Sequence, residues 1–401
     1  MCEKRSSVLA IRDRKATPIP MNITLPKKDL LRLVARCQGV VDKKSTMPVL
    51  MNVLIAADAS NTVRVAATDM YLAVSSHAVA DVDGEGSTAV PAKDLFDRIK
   101  AMPDGPVTIR MGSTGNTELK SEVMPRRYGL HGLDGHSFPA LPEPSSDAPT
   151  LELEVDLLSR LINQTQFSIS TDETRTSLNS ALFEWEGDRI RMVTADRHRL
   201  TKVEATVPDR SATATMLIPL KAITELRKLA DEAMSGDNKG ESPTMVTIAQ
   251  SGPNAFFTFG NVKFSVKLVD AKFPAYQNAI LKASDRKVRV SRLVLIDALR
   301  AVSLASSDRT GGLKLSIETG TMRITSESPE SGDGFDEIPV EYVGESTTIG
   351  FNAKYLLDVL GVLDDEEVDM LLFGELDPVI IKPAIEPESR SFLSVVMPMR
   401  I

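Results

Sequence analysis

Hydrophobic residues in this chain follow two rhythms that keep replacing one another. Alternation at every second position marks short strands, and spacing of three to four marks amphipathic helices. In the first third, Met21 to Leu25 reads as a strand and Lys27 to Gly39 as a helix with Leu30, Leu31, Val34 and Ala35 on one face. Met51 to Ala56, Thr62 to Ala66 and Leu72 to His77 alternate as strands, with turn signals at Asp58-Ala59-Ser60-Asn61 and Asp83-Gly84. Ala92 to Met102 is a second helix, stopped by Pro103-Asp104-Gly105, and Val107 to Met111 and Glu118 to Val123 follow as strands. The pattern then recurs. Asp156 to Gln166 and Leu220 to Met234 read as helices around strands at Ala181 to Trp185, Arg189 to Thr194 and Leu200 to Ala205. Arg292 to Ala305 and Ala353 to Leu363 do so around Leu313 to Ile317, Thr321 to Thr325 and Ile338 to Tyr342.

Specific markers keep the same period. Val90-Pro91-Ala92-Lys93, Ile218-Pro219-Leu220-Lys221 and Phe351-Asn352-Ala353-Lys354 each open a Leu/Ile-rich helix, about 130 residues apart. Ala67-Thr68-Asp69, Thr194-Ala195-Asp196 and Thr325-Ser326-Glu327 each close an alternating strand, and Phe138-Pro139-Ala140 returns as Phe273-Pro274-Ala275. Ordered markers at a common spacing indicate three copies of one α+β domain, each long enough for its own core, with sheets outside and helices packed on one face. Pro- and Ser-rich 142–149 and the stretch from Leu281 to Lys287 suggest linkers, giving domains at 21–145, 146–283 and 284–401.

Composition narrows the class. The chain is 42% hydrophobic and 25% charged, and no apolar run reaches a membrane span. Cys2 and Cys37 are the only cysteines, which disfavours a disulfide framework or a zinc site and suits a reducing cytoplasm. Residues 1–20 carry five cations and end in Pro18-Ile19-Pro20; they read as a disordered basic extension, or as a start placed ahead of Met21. The net charge of −8 argues against a protein that coats nucleic acid, yet Lys27, Lys28, Arg32 and Arg36 face Asp29 alone in the first helix. Acids gather elsewhere, in 81–85, 327–337 and 364–367. A solvated helix face and a weak DNA contact both fit that basic cluster.

The motifs Thr46-Met47-Pro48-Val49-Leu50, Gln166-Phe167-Ser168, Asp196-Arg197-His198-Arg199-Leu200, Lys267-Leu268-Val269-Asp270, Ile349-Gly350-Phe351-Asn352 and Val396-Met397-Pro398-Met399-Arg400-Ile401 stand in register with the triplication. Through them the chain resembles the bacterial sliding clamp, the beta subunit of DNA polymerase III, from Met21 onward. The resemblance implies a head-to-tail homodimeric ring, helices lining its hole, that encircles duplex DNA without sequence specificity and needs no cofactor. Implied partners are the replicative polymerase, an ATP-dependent clamp loader and other replication and repair proteins, with no membrane. Cations implied to face DNA are Lys27, Lys28, Arg32, Arg36, Lys93, Arg98, Lys100, Lys221, Arg227, Arg300 and Lys354 on helices, with Lys44 and Arg175 in loops.

The resemblance also implies a cleft between the second and third domains that takes client peptides or inhibitors. Its matching residues are Leu178, Ala195, Arg197, His198, Leu200, Pro274, Asn278, Ala279, Val395, Val396, Met397, Pro398, Met399 and Arg400. Leu, Val, Pro and Met make an adaptable apolar surface of that kind. Four departures bear on it: Arg197 stands where relatives usually have Gly, Ala195 where Thr is common, and Asn278 and Ala279 replace a basic and a larger apolar residue. Arg197 either narrows the cleft or adds a cationic contact. Thr176 and Ser177 replace aromatics of some relatives, which weakens any base-stacking role. At the implied dimer interface, Arg126, Arg127 and Tyr128 meet Leu304 and the acids Glu330, Asp333, Asp336 and Glu337, unless Tyr128 and Leu304 belong to their own cores.

Two other readings compete. The departures suit a specialised or inhibitor-resistant paralogue of the clamp. Asp196 and His198, two apart at a strand end, are half of a hydrolytic triad. The chain, however, has four His and lacks a nucleophile elbow, Walker loop, HExxH or dinucleotide turn, so a non-enzyme is expected. His131 and His136 lie in a loop without further plausible metal ligands.

Overall fold

The computed structural model describes residues 21–112, 116–208, 213–235, 243–281, 284–306, 311–329 and 332–400. The expected extension at 1–20, with Cys2, lies outside them, as do Glu330 and Ile401. Six α-helices are described: α1 (Lys27–Cys37), α2 (Ala92–Ala101), α3 (Val155–Thr165), α4 (Leu220–Met234), α5 (Arg292–Ser303) and α6 (Ala353–Gly361). Each begins on the residue after a strand ends, from Asn22–Pro26 running into α1 to Thr347–Asn352 running into α6. Pro26, Pro91 and Pro219 stand at three of these junctions, where fixed φ and a missing N–H suit a helix entry. At the last, Asn352 accepts from the Lys354 amide at 2.9 Å, an N-cap bond. The helices pack in sequential pairs, α1 on α2, α3 on α4 and α5 on α6.

The described residues divide into two compact units, one within Met1–Asp69 and Ser75–Ala140, the other within Met70–Val74 and Leu141–Ile401. In the first unit an antiparallel sheet runs in the order Asp81–Gly84, Asn22–Pro26, Pro106–Met111, Asn116–Ser121, Arg127–His131. In the second, the strands Thr213–Pro219, Ser180–Glu186, Arg189–Ala195 and Arg199–Thr206 continue into Arg390–Val396, Val379–Pro383, Glu367–Leu372 and Arg286–Ser291. The join is the antiparallel pair of Arg199–Thr206 with Arg390–Val396, Leu200 opposite Val395. One sheet therefore passes from the second repeat into the third. A further sheet of this unit has the order Gly332–Pro339, Thr321–Ser328, Gly312–Glu318, Thr347–Asn352.

Several sequence readings shift. Helix α1 buries Leu30, Leu33, Val34 and Cys37, whereas Ala35 is exposed and Leu31 half-buried, because the helix leans its i, i+3, i+4, i+7 stripe on the sheet. Met51 closes a 3₁₀ turn, Pro48–Met51, and the strand starts at Asn52. Asn116–Ser121 replaces the strand read at Glu118 to Val123. Thr325-Ser326-Glu327 lies inside a strand that runs on to Ser328. The strand read at Ile338 to Tyr342 is Gly332–Pro339, whose outward Asp and Glu mask its alternation. Lys287 belongs to the strand Arg286–Ser291 rather than to a linker. No helix among the described residues is long and apolar enough to cross a membrane.

Candidate binding cleft and charged surfaces

Alternation along the seam-crossing sheet decides which side chains face outward. Leu182, Val193, Ala195, Leu200, Leu217, Ile380 and Val395 form one apolar cluster on that face, joined by Phe273 and Tyr276, with Leu178, Val269, Ile280 and Leu393 packed at its edges. Of the residues implied by sequence, Leu178, Ala195, Leu200 and Val395 are thus brought together. Val396 is buried but alternates to the opposite face, so it does not line the cluster. Pro274, Asn278 and Ala279 are exposed on the segment carrying Phe273, Tyr276 and Ile280. Met397, half-buried Pro398 and Met399, and exposed Arg400 continue from the closing strand. The Met397 amide donates to the His198 carbonyl at 2.7 Å and the Met399 amide to the Gly350 carbonyl at 2.9 Å, which fixes the course of this tail. A groove of about 1090 Å³ shares Leu182, Leu217, Phe273 and Tyr276 and extends past Pro274 to 267–272.

The opposite face is mainly buried apolar core, including Phe183, Met192, Val203 and Val396, and a polar seam within it ties the two repeats. Ser168, Thr201 and Ser394 form a buried chain of hydroxyls at 2.6 and 3.0 Å. Beside it, Arg199 donates to Asp196 at 3.1 Å, to the Phe167 carbonyl at 2.6 Å and to Asp358 of α6 at 2.7 Å. Its guanidinium also lies over the Phe167 and Tyr355 rings, 5.2 and 4.7 Å from their centroids. With its side chain only 7% exposed, Arg199 is a buried cation whose partners come from both repeats. Sequence reasoning passed over Arg199 and Tyr355, because their pairing depends on residues far apart in the chain.

These contacts dismantle the triad reading. Asp196 Oδ1 accepts the main-chain amides of His198 and Arg199 at 2.7 and 2.9 Å, and its Oδ2 takes the Arg199 side chain. The His198 ring stacks on Tyr355, centroids 5.5 Å apart, instead of meeting that carboxylate. Residues 196–198 form a turn rather than a strand end, so the two side chains do not share a strand face. Elsewhere, His131 contacts Asn116 and His136 contacts Asp134, in separate pairs.

At the rim of the cluster, Arg175 and Arg197 share Asp172 at 3.4 and 3.6 Å. Hydrogen bonds from Thr174, then both guanidiniums, hold the Asp172 carboxyl below its ordinary range. On the other flank, Tyr276 donates its hydroxyl to Glu184 at 2.9 Å. Burial first, and then Glu184, push that phenol up to about 12. Arg191 links Glu184 and Glu204, so the tyrosine rests on a charged lattice beside the cluster on the same face of the sheet.

Four of the cations implied to face DNA are paired along their own helices. Lys93 meets Asp97 at 2.6 Å, Arg98 meets Asp94 at 3.3 Å, Arg227 meets Asp231 at 3.7 Å and Lys354 meets Asp358 at 2.7 Å, all four residues apart. Lys27 is drawn inward to the Met102 carbonyl and Asp104 at 2.6 and 3.0 Å, a helix-start anchor and not a free cation. Lys28, Lys44, Lys100, Lys221 and Arg300 are exposed, and Arg32 and Arg36 half-buried.

Two sheet-ending strands carry the implied interface residues. Arg127–His131 ends the sheet of the first unit and bears Arg127, paired with Glu118 at 3.1 Å, and half-buried Tyr128; Arg126 precedes it and bonds the Ala101 carbonyl. Gly332–Pro339 ends a sheet of the second unit and bears Asp333, Asp336 and Glu337, the last bound to Arg323 at 2.7 Å. Leu304 is 83% exposed and Phe335 63% exposed. Leu304 is therefore not a core residue of its own domain.

Repeated strand–helix units and a seam-spanning apolar cluster define a protein of the replication-clamp class. Family models agree along the chain: those of the DNA polymerase III beta subunit match at 21–142 (N-terminal domain), 152–275 (central domain) and 278–400 (C-terminal domain). The chain belongs to the DNA polymerase III beta subunit family. It is 31% identical to the beta sliding clamps of Pseudomonas putida and Escherichia coli K12, covering 95% of this chain and all of each relative. A crystal structure of a sliding clamp from Bartonella birtlesii bound to griselimycin superposes with a TM-score of 0.87 at 32% identity, over 96% of this chain and all of that one. One from Pseudomonas aeruginosa gives 0.85 at 29%, over 95% and all of that chain. The protein is a sliding clamp, a DNA polymerase processivity factor.

Proposed function

We propose that two copies of this chain close head to tail around duplex DNA and hold client proteins through the cleft between the second and third repeats. The observation that carries the cleft is the apolar cluster built across the sheet join, with Leu200 and Val395 opposite one another. A peptide anchor of Leu or Phe type would bury its surface there, and adaptable Met397 and Met399 suit varied ligands. Closure of the ring is supported by complementary edges: Arg126 and Arg127 with Tyr128 on one, Asp333, Asp336 and Phe335 with Leu304 on the other. A heterologous contact of this kind closes when the rotation between copies allows it, and opposite charges set its orientation. Self-paired helix cations suit sequence-blind contact with phosphate that is weak enough for sliding. The clamp itself performs no chemistry, and opening it falls to an ATP-driven loader.

The test is topological. The protein is loaded onto a nicked circle with loader and ATP, and half of the sample is linearised. Loss on linearisation alone supports a closed ring; equal retention on both forms would refute it.

A further inference from the structure

Arg197 occupies the tip of the turn between two strands that place Ala195 and Leu200 in the apolar cluster. Its backbone φ lies outside the left-handed region, so this turn accepts a side chain without strain. Among the described residues Arg197 makes one polar contact, the ion pair to Asp172, and its side chain is 58% exposed. Asp172 is itself committed, with Oδ1 taken by the Thr174 hydroxyl and amide at 2.6 and 3.2 Å and Oδ2 shared with Arg175. Arg175 in turn belongs to the turn that sets Leu178, whose amide donates to the Arg175 carbonyl at 2.9 Å. Two guanidiniums thus border the cluster on the turns that supply three of its apolar residues. A guanidinium has five donors in a fixed fork matched to a carboxylate.

Resting on the cleft reading above, we infer that Arg197, supported by Arg175, selects client peptides carrying an acidic side chain beside the apolar anchor. An incoming carboxylate meets Arg197 donors that Asp172 leaves open, while the anchor sits on Leu178, Ala195, Leu200 and Val395. The ligand is a peptide and not a nucleic acid because this cation is continuous with the apolar cluster.

The experiment uses the full chain and fluorescent peptides sharing one Leu-Phe anchor, with Glu or Gln at each flanking position. For at least one position the Glu peptide binds the wild type about three- to tenfold more tightly than its Gln counterpart. That ratio falls to near one in Arg197→Gln and shrinks at high salt. Equal binding of Glu and Gln peptides at every position, with the anchor still bound, overturns the inference. So does a preference that survives Arg197→Gln. If Arg197→Gln weakens binding of a duplex oligonucleotide and leaves the peptide ratio unaltered, Arg197 is a phosphate contact instead. Failure of every anchored peptide to bind removes the cleft reading itself, and this one with it.

Discussion

The Arg199 guanidinium donates to the Asp358 carboxylate at 2.7 Å, across 159 positions of sequence and from the second repeat to the third. Removing one partner of a buried pair leaves the other uncompensated, which costs about 3–5 kcal/mol. Arg199→Ala should lose that much in urea unfolding and also weaken peptide binding, since the cleft rests on the same join. Asp358→Asn should cost less, because Arg199 keeps Asp196 and the Phe167 carbonyl. Equal losses would show that the interdomain pair holds all of the effect.

The edge of the proposed cleft gives a separable test. Leu178 is half-buried at the edge of the cluster, so Leu178→Ala removes contact area without opening a closed core. Peptide affinity should fall about tenfold, equivalent to about 1.4 kcal/mol, with little change in Tm. Calorimetric titration beside a melting curve reads both.

On the proposed ring, self-paired cations would set the strength of phosphate contact. Asp97→Asn and Asp231→Asn release Lys93 and Arg227 from their carboxylates. Each variant should bind a duplex oligonucleotide more tightly at low salt. Each newly engaged phosphate should steepen the dependence of log K on log salt by about 0.9. An unchanged slope would place those helices away from DNA.

Charge on the two sheet edges should decide assembly. If the wild type sediments as the proposed dimer, Arg127→Glu combined with Leu304→Asp is expected to sediment as monomer at the same concentration. Adding Asp336→Arg to Arg127→Glu alone should restore part of the dimer through the exchanged pair.

Burial and then Glu184 push the Tyr276 phenol up to about 12, above its usual 10. A raised folded-state value contributes stability that is complete below about pH 10 and is lost as pH climbs through about 12. Tyr276→Phe should therefore remove the alkaline limb of stability in that window and leave Tm near neutrality comparatively little affected. Comparing ultraviolet titrations of the wild type and Tyr276→Phe should show that the lost phenol ionises above its usual range.

What sequence could convey depended on how local the determinant was. Helices α2, α4 and α6 were legible from their entry motifs, because Pro91, Pro219 and Asn352 act on the very next residues. The strand Gly332–Pro339 was displaced because its Asp-Gly-Phe-Asp-Glu stretch puts acids where a core-facing alternation is sought. Met51, which closes the Pro48–Met51 turn, was read into the strand that follows because apolar residues stand on both sides of Asn52. In the cleft, Leu178, Ala195, Leu200 and Val395 came from the resemblance, but the opposed facing of Val396 required the register with Arg199. Tyr276 follows directly on the repeated Phe273-Pro274-Ala275 marker and could have been found from it, whereas Ile380 sits in the unbroken run Val379-Ile380-Ile381, which has no period. Arg199 was not legible either, since a cation in a strand gives no hint of a carboxylate on a distant helix.

The sheet that passes from the second repeat into the third also bears on how the molecule unfolds. Three tandem copies suggest three independent melting steps, yet the pairing of Arg199–Thr206 with Arg390–Val396 commits two of them to a common sheet. Neither can shed its outer strands without exposing main-chain amides and carbonyls of the other. The second and third repeats should therefore melt as one cooperative block, and hydrogen exchange across the join should report a single opening free energy for residues nearly two hundred positions apart.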